Sequence, residues 1–235
     1  MRILTLNLNT PLLTLHFKEA GFVLDVAEDA DDAISLLALD YDYGCLVFYA
    51  PKRESINIPV QLVRAIRNKK IETPLICLTD RDDTAFRIGM LNIGCDTILE
   101  LPIDKFEAEA YVSATIRRGR GLASPKLKLG VVKIDLIHKD ITAKGETIHL
   151  TNREWSVFEM LALAKGHPVS LERIYEHIEQ DGEHVDGSKL IDVFICKINR
   201  KFRKVLGDKN YPVKTIWGRG RYLDLDILKG EGGVP

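Results

Sequence analysis

The sequence lacks the features of a membrane, secreted or disulfide-linked protein. No apolar run approaches the roughly 18 to 20 residues that cross a bilayer. The first residues, beginning at Met1, lack the charged-then-apolar order of a signal peptide and instead predict a strand. The four cysteines show no CxxC spacing, and three of them lie in apolar runs. These observations predict a cytoplasmic protein with reduced thiols and no membrane partner.

Catalytic signatures are lacking as well. The sequence contains no Gly-rich phosphate loop, no HExxH motif and no GxSxG motif, and its six histidines show no metal-ligand spacing. We therefore expect no enzymatic activity, no cofactor and no metal site. The composition, with 46% hydrophobic and 29% charged residues, is that of a globular protein, and 235 residues are enough for two ordinary domains.

Charge is unevenly distributed along a chain whose net charge is only −1. Residues 1–118 contain 13 basic and 18 acidic side chains, whereas residues 126–235 contain 19 basic and 16 acidic ones. The intervening segment is rich in glycine and ends in Ser124 and Pro125, which favours a linker. The sequence therefore predicts a first domain over 1–118, a linker over 119–126 and a second domain over 127–229.

Short apolar runs alternate with helical patterns in the first domain. Strands are predicted at residues 2–6, 23–27, 44–49, 75–79 and 97–101, and helices near 10–19, 30–39, 58–69, 83–93 and 104–118. Five such repeats predict an α/β domain with a five-stranded parallel sheet covered on both faces. Because ligands of such sheets bind at the carboxyl ends of the strands, the residues there decide the chemistry.

The second domain has an α+β pattern. Short strands are predicted at 131–136, 141–143 and 147–150, with a turn at Lys144 and Gly145 between the last two. Thr151 and Glu154 have the spacing of a capping box at the start of a helix, and Ser170 suits the cap of a second helix. A third helix is predicted over about 188–206. A hairpin follows, with strands at 213–217 and 221–225 and a Gly-flanked tip at Arg219.

Positive charge is concentrated in this last helix and hairpin. Residues 189–221 contain ten Lys or Arg and only two acidic residues. Helical spacing gives the third helix one apolar face and one basic face, which fits a helix in the major groove of duplex DNA. Val193 and Cys196 lie at the centre of the exposed face; such side chains can contact a thymine methyl but cannot read guanine. Together with Arg219 at a hairpin tip, suited to a narrow minor groove, they predict A·T-rich sites.

The first domain resembles a response-regulator receiver domain. The resemblance is carried by Tyr-Asp-Tyr at 41–43, the run over 73–79, Gly-Cys-Asp at 94–96 and the prolines at 51 and 102. In that family, phosphorylation requires an acidic pair after the first strand and an Asp at the end of the third. It also requires a Thr or Ser after the fourth strand and a Lys after the fifth. The matching positions here, in the same order, are Asn7 and Asn9, Val47, Thr79, and Leu101.

Only the threonine is retained at these positions. A valine cannot accept a phosphoryl group, and amides are poor ligands for Mg²⁺. The resemblance therefore implies a receiver fold without phosphorylation chemistry, kept as a dimerisation domain. The family dimerises through a charged two-fold face of helix four, strand five and helix five, and ordinary solvated charge is the alternative for these side chains. The matching residues are Arg87, Asp96, Glu107, Arg117 and Arg118.

The second domain resembles the winged helix-turn-helix effector domain of the OmpR/PhoB family, and within it the alphaproteobacterial cell-cycle regulators. His-Leu-Thr at 149–151 and the stretches 191–197, 210–211 and 215–220 carry this resemblance. It implies a homodimer on direct repeats of a TTAA type, with RNA polymerase or a related response regulator as further partners. Two residues depart from the family pattern. Arg221 replaces a tyrosine and is expected to add a phosphate contact, and Glu179 replaces an aromatic residue and is expected to remove one.

These observations together predict a phosphorylation-independent transcription regulator that binds double-stranded DNA as a dimer. An adaptor that sequesters a true response regulator is the alternative. The expected DNA-binding residues are Lys189, Val193, Cys196 and Lys197 at base edges, Arg200, Arg203 and Arg221 at phosphates, Lys201 on the same basic helix, and Arg219 in the minor groove.

Overall fold

A computed structural model describes residues 1–8, 10–39, 43–178 and 187–229. The chain divides into two compact units, Met1–Ala123 and Ser124–Pro235, and each unit is described by itself. The last helix of the first unit ends at Gly119, and the first strand of the second unit begins at Lys126. The finer bounds predicted for the linker stay a prediction.

The first unit alternates strands and helices, as its sequence pattern predicts. The strands are β1 (Arg2–Leu6), β2 (Val23–Ala27), β3 (Tyr43–Tyr49), β4 (Leu75–Thr79) and β5 (Thr97–Glu100). The helices are α1 (Pro11–Glu19), α2 (Ala30–Ala38), α3 (Asn57–Asn68), α4 (Thr84–Asn92) and α5 (Lys105–Gly119). The aspartates Asp29, Asp83 and Asp104 cap α2, α4 and α5 by accepting hydrogen bonds from first-turn amides, which explains where these helices begin.

The five strands form one parallel sheet in the order β2-β1-β3-β4-β5, which confirms the predicted fold class. Alternate residues of the central strands face opposite sides of the sheet. Leu46 and Phe48 pack with α2, α3 and α4, whereas Cys45 and Val47 pack with α1 and α5. Because both faces are covered, the middle strands are apolar along nearly their whole length.

The second unit begins with a four-stranded antiparallel sheet, continues with three helices and ends with a hairpin and a short helix. Its strands are β6 (Lys126–Leu129), β7 (Val132–Asp135), β8 (Asp140–Ala143), β9 (Glu146–Thr147), β10 (Val213–Ile216) and β11 (Gly220–Leu223). Its helices are α6 (Asn152–Leu163), α7 (Leu171–Ile178), α8 (Gly187–Leu206) and α9 (Leu225–Lys229). The predicted α+β class is confirmed.

Three details of the second unit differ from the sequence prediction. The sequence predicts no strand where the linker ends and the second domain begins. The structure has strand β6 there, and its backbone pairs with β7 along its whole length. The strand predicted over 147–150 is shorter and covers Glu146–Thr147, which pair with Ala143 and Thr142 of β8; one further hydrogen bond joins the Ile148 amide to the Ile141 carbonyl at 2.8 Å. Helix α9 replaces the end of the second hairpin strand, since Asp224 accepts hydrogen bonds from the amides of the first helical turn.

Candidate nucleic-acid interface

Helix α6 begins at the predicted capping box. The amide of Glu154 donates to the Thr151 hydroxyl at 3.4 Å, and the Glu154 carboxylate accepts from the Thr151 amide at 2.9 Å. The Glu154 carboxylate is buried and also accepts a hydrogen bond from the Lys201 ammonium at 2.5 Å. Burial opposes its ionisation, but the hydrogen bonds from Lys201 and Thr151 outweigh burial and hold the pKa of Glu154 below its usual range.

Lys201 therefore joins α8 to α6 within the domain. Its ammonium is already paired with a buried carboxylate, and its expected role as a DNA-binding residue stays a prediction. Sequence periodicity places Lys201 at the edge of the basic face but does not reveal a partner 47 positions away.

Helix α8 has the two faces that its sequence predicts. Its apolar stripe enters the core of the domain, where the rings of Phe158 and Phe202 lie 5.0 Å apart between centroids. The opposite face is solvent-exposed and holds most of the predicted base and phosphate contacts, and Val193 at its centre is 46% exposed. The exposed members are Lys189, Val193, Cys196, Lys197 and Arg200.

The buried Asn199 attaches α8 to the hairpin and was not singled out from the sequence. Its side-chain amide donates to the carbonyl of Val213 and accepts from the amide of the same residue, both at 2.9 Å. An asparagine at the border of an apolar helical stripe is the sequence signal that could have suggested such a buried polar contact.

The hairpin of β10 and β11 is also fixed to the segment that connects α6 and α7. Val169 and Arg221 exchange two backbone hydrogen bonds, at 2.7 and 2.8 Å. A Cβ atom on Gly220 would lie 1.9 Å from the Val169 carbonyl oxygen, so this approach requires a glycine. The hairpin is thus held against the helices at its base, while the tip, with Trp217 and Arg219, is exposed.

Two predicted phosphate contacts have partners within the domain. The guanidinium of Arg221 lies 2.7 Å from the Asp192 carboxylate on α8, and the Arg221 side chain is only 12% exposed. Arg203 stacks over Tyr211 at 4.7 Å from the ring centroid and lies 3.2 Å from the Asp208 carboxylate. The charge of Arg221 is thus paired and largely shielded, and its expected phosphate contact stays a prediction.

The second candidate site is the receiver pocket of the first unit. Val47 is fully buried in β3 between Thr5 of β1 and Ile76 of β4, in an apolar cluster. Asn7 is exposed directly after β1 and has a positive φ of 55°, and Leu101 is half-buried after β5. Asn9, Asp42 and Glu179 lie outside the described residues.

The retained threonine is engaged in internal hydrogen bonds. The Thr79 hydroxyl is buried, donates to the Ala50 carbonyl at 2.8 Å and accepts from the Arg81 amide at 3.2 Å. The guanidinium of the buried Arg81 donates to the carbonyls of Pro51, at 2.7 Å, and Glu54, and lies over the Phe86 ring. These contacts join the loop after β3 to the loop after β4.

Asp80 directly follows the retained Thr79, and it too has internal partners. It accepts the amide of Lys52 at 2.5 Å, and this bond together with one from the Tyr49 phenol lowers the pKa of Asp80. Burial and the neighbouring Asp80 carboxylate raise the pKa of Tyr49. Asp80 lies after β4, so it does not occupy the phosphoacceptor position at the end of β3.

The expected dimer residues are distributed over α4, β5 and α5 and the segments between them. Glu107 and Arg118 are exposed on α5, Arg117 is half-buried beside them, and Arg87 lies 3.0 Å from Glu100 in the same unit. Asp96 accepts from Arg67 and from the Leu75 amide, each at 2.7 Å, so it already has partners within its own domain.

Among the residues that the structure describes, no helix combines the length and the apolar character needed to cross a bilayer. In the same part of the chain, no three His, Cys, Asp or Glu side chains are grouped so that they could hold a metal ion.

Comparison with known proteins matches both halves of the chain. Residues 145–223 match the family model described as "Transcriptional regulatory protein, C terminal". The cell cycle response regulators CtrA of Brucella ovis and Brucella abortus are each 29% identical over 215 residues, which cover 90% of this chain and 89% of the relative. Among solved structures, response regulator DrrB, a Thermotoga maritima OmpR/PhoB homologue, matches with 21% identity and a TM-score of 0.40, covering 94% of this chain and 98% of its own.

The relatives named by these comparisons are response regulators and not enzymes. The match to CtrA extends over both units, while the family model covers only the second. The resemblance expected from the sequence is therefore confirmed at this level: the chain is similar to the cell cycle response regulators CtrA over 90% of its length, and residues 145–223 match the family of C-terminal transcriptional regulatory domains.

Proposed function

We propose that the protein regulates transcription by binding A·T-rich duplex DNA without being phosphorylated. The observation that carries the proposal is the exposed, basic face of α8 beside a hairpin whose tip presents Arg219. A helix of this kind fits the major groove, and an arginine at a hairpin tip fits a narrow minor groove. Val193 and Cys196 at the centre of the helical face favour thymine methyl groups over guanine.

Phosphorylation independence is proposed from the receiver pocket. The phosphoacceptor position holds the fully buried Val47, and the retained Thr79 is hydrogen-bonded to the loop after β3. The loops that would surround a phosphoryl group are instead joined by Arg81. The receiver unit then serves as an assembly domain. The amount of the protein or its partners, and not phosphorylation, would control its activity on DNA.

The proposed assembly is a homodimer through α4, β5 and α5. Ile88, Leu91 and Tyr111 on these helices are between 45% and 54% exposed, so the face offers apolar area as well as charge. The charged residues proposed for it are Arg87, Glu107, Arg117 and Arg118. Asp96 belongs to the same proposed face, and like Arg87, which lies beside Glu100, it also has partners within its own domain.

The test is fluorescence anisotropy with a duplex that carries two TTAA half-sites and with a scrambled duplex of equal composition. Each titration is repeated with acetyl phosphate and Mg²⁺ and over a series of salt concentrations. Specific binding that the phosphodonor does not change is the expected result. Truncating Arg200 to alanine should weaken binding to both duplexes and reduce the salt dependence by about one phosphate contact.

The exposed apolar side chains of α4 and α5 also favour a second function, that of an adaptor which forms heterodimers with a related response regulator. Weak, sequence-blind DNA binding together with capture of a tagged CtrA-like protein at equimolar ratio would favour the adaptor. Binding that requires the phosphodonor would contradict both functions as stated.

A further inference from the structure

The hairpin tip presents an indole to solvent. Trp217 is 93% exposed, more than any other large hydrophobic residue in the described part of the chain. The protein has only one other tryptophan, Trp155, which is buried at 3% exposure in the core of the same unit. An exposed side chain of this size is unusual on a folded surface and frequently marks a contact with a partner.

The turn itself does not explain the tryptophan. The hairpin is closed by the hydrogen bond from the Arg219 amide to the Ile216 carbonyl at 3.0 Å and by Gly218 at a φ of 74°. These features use the backbone and a glycine and need no aromatic ring at position 217. The side chain has almost no contact area within the domain, so it adds little to the stability of the hairpin.

The charge around the indole indicates the chemistry of its partner. Between Val213 and Leu223 the hairpin contains three cationic residues and no acidic residue. Lys214 is paired with Asp224 at 2.6 Å and Arg221 with Asp192 at 2.7 Å, so the exposed Arg219 is the cation beside the indole at the tip. An exposed apolar ring beside an arginine fits a partner that presents apolar surface between phosphates. The deoxyribose walls of a DNA minor groove are such a surface, and apolar side chains are known to wedge there beside arginines.

We propose that Trp217 contacts DNA directly, packing its indole against the sugars of the minor groove beside the place where Arg219 enters. This inference rests on the proposed function, and it adds an aromatic, affinity-determining residue to the hairpin tip, where the contact proposed so far is Arg219. The hydrogen bonds of Val169 and Asn199 fix the base of the hairpin. A hairpin that is already fixed loses less conformational entropy when its ring binds DNA.

The experiment combines binding and fluorescence with the full chain. The variants are Trp217→Ala, Trp217→Phe and, as a matched control, Ile137→Ala, which removes an exposed apolar side chain from another turn of the same unit. Affinity for the duplex with two TTAA half-sites is measured over a salt series. Acrylamide quenching of tryptophan is measured with and without that duplex, using the Trp217→Phe protein to assign the signal of Trp155.

The proposal expects that DNA protects the Trp217 signal from acrylamide and that Trp217→Ala weakens binding roughly five- to tenfold, as loss of a stacked aromatic contact does. The slope of log affinity against log salt should not change, because the indole carries no charge. Trp217→Phe should retain most of the affinity, and Ile137→Ala and all thermal unfolding midpoints should match the wild type.

Three outcomes would overturn the proposal. If the wild type binds specifically while Trp217→Ala binds equally well and acrylamide still reaches the indole, Trp217 is not a DNA contact, and the proposed function stands. If protein concentration alone protects the indole, the partner is a second copy of the chain. If the wild type does not bind the duplex specifically, the proposed function fails, and the DNA contact of Trp217, which rests on it, fails with it.

Discussion

Arg221 in β11 and Asp192 on α8 form an ion pair of 2.7 Å that joins the hairpin to the helix proposed to enter the major groove. The Arg221 side chain is 12% exposed and the Asp192 side chain is 58% exposed, so the carboxylate stays on the surface and the guanidinium lies beneath it. An unpaired carboxylate on a DNA-facing helix would repel phosphates. The pair thus neutralises Asp192 and fixes the hairpin relative to α8.

This arrangement predicts how two truncations combine. Arg221→Ala should weaken DNA binding because it leaves Asp192 unpaired on the interface, whereas Asp192→Ala alone should weaken binding little. The double variant should bind more tightly than Arg221→Ala, with a coupling of about 1 kcal/mol in a double-mutant cycle. Anisotropy titrations at fixed salt measure all four proteins. If Arg221 contacts a phosphate directly, the double variant will instead bind as weakly as Arg221→Ala.

The pair also shows where prediction from the sequence ends. Helical periodicity located the buried and exposed faces of α8, and alternation located the strands of the parallel sheet, because these patterns depend on neighbours along the chain. The partners of Arg221, Lys201 and Asn199 depend instead on which elements meet across the fold. Three of the predicted DNA-binding cations, Lys201, Arg203 and Arg221, are therefore paired internally. Strand β6 is not predicted from the sequence because its signal is only four residues long.

Lys201 provides a second prediction, which separates stability from binding. Lys201→Met leaves the Glu154 carboxylate buried without its cation and should lower the free energy of unfolding by about 2 kcal/mol, since the lysine is partly exposed but Glu154 is not. Lys204→Met, at an exposed position of the same helix, is the matched control and should leave stability unchanged. Both tryptophans lie in the second unit, so urea unfolding followed by tryptophan fluorescence reports on this unit.

The salt dependence of DNA binding completes this test. If Lys201 is structural, the folded Lys201→Met protein should keep the wild-type slope of log affinity against log salt, because no phosphate contact is lost. A slope reduced by about one contact, with wild-type stability, would restore Lys201 to the DNA-binding surface and contradict the structural role.

The lowered pKa of Glu154 predicts a dependence of stability on pH. A carboxyl group whose pKa is lower in the folded state contributes stability above its unfolded pKa and loses that contribution as the pH falls through the folded value. The unfolding free energy of the wild type should therefore decrease towards acid pH more than that of Glu154→Gln. Urea unfolding at several pH values between neutral and acid measures the unfolding free energy of both proteins. The difference between the two values cancels the contribution of the other titrating groups.

The same group should reverse its behaviour when its cation is removed. In Lys201→Met, burial becomes the dominant influence and favours the neutral acid, so the pKa of Glu154 should rise. The difference in unfolding free energy between wild type and Lys201→Met should then shrink as the pH falls, because the protonated carboxyl no longer needs a counter-charge. A difference that stays constant with pH would show that Lys201 stabilises α6 by packing and not through its charge.

Restoring an aspartate at the phosphoacceptor position should not restore phosphorylation. Val47→Asp places a carboxylate in a fully buried apolar cluster and should destabilise the first unit by several kcal/mol. The acidic pair that would hold Mg²⁺ is still absent after β1, and Arg81 still joins the two loops that would enclose a phosphoryl group. Val47→Thr, which has the same shape and a smaller polar cost, is the matched control.

Intact-mass measurement after incubation with acetyl phosphate and Mg²⁺ should find no phosphorylated Val47→Asp or wild-type protein. A stably folded Val47→Asp protein that gains a phosphoryl group would contradict this prediction. It would show that the pocket still binds Mg²⁺ and that the valine alone prevents phosphorylation of the wild type.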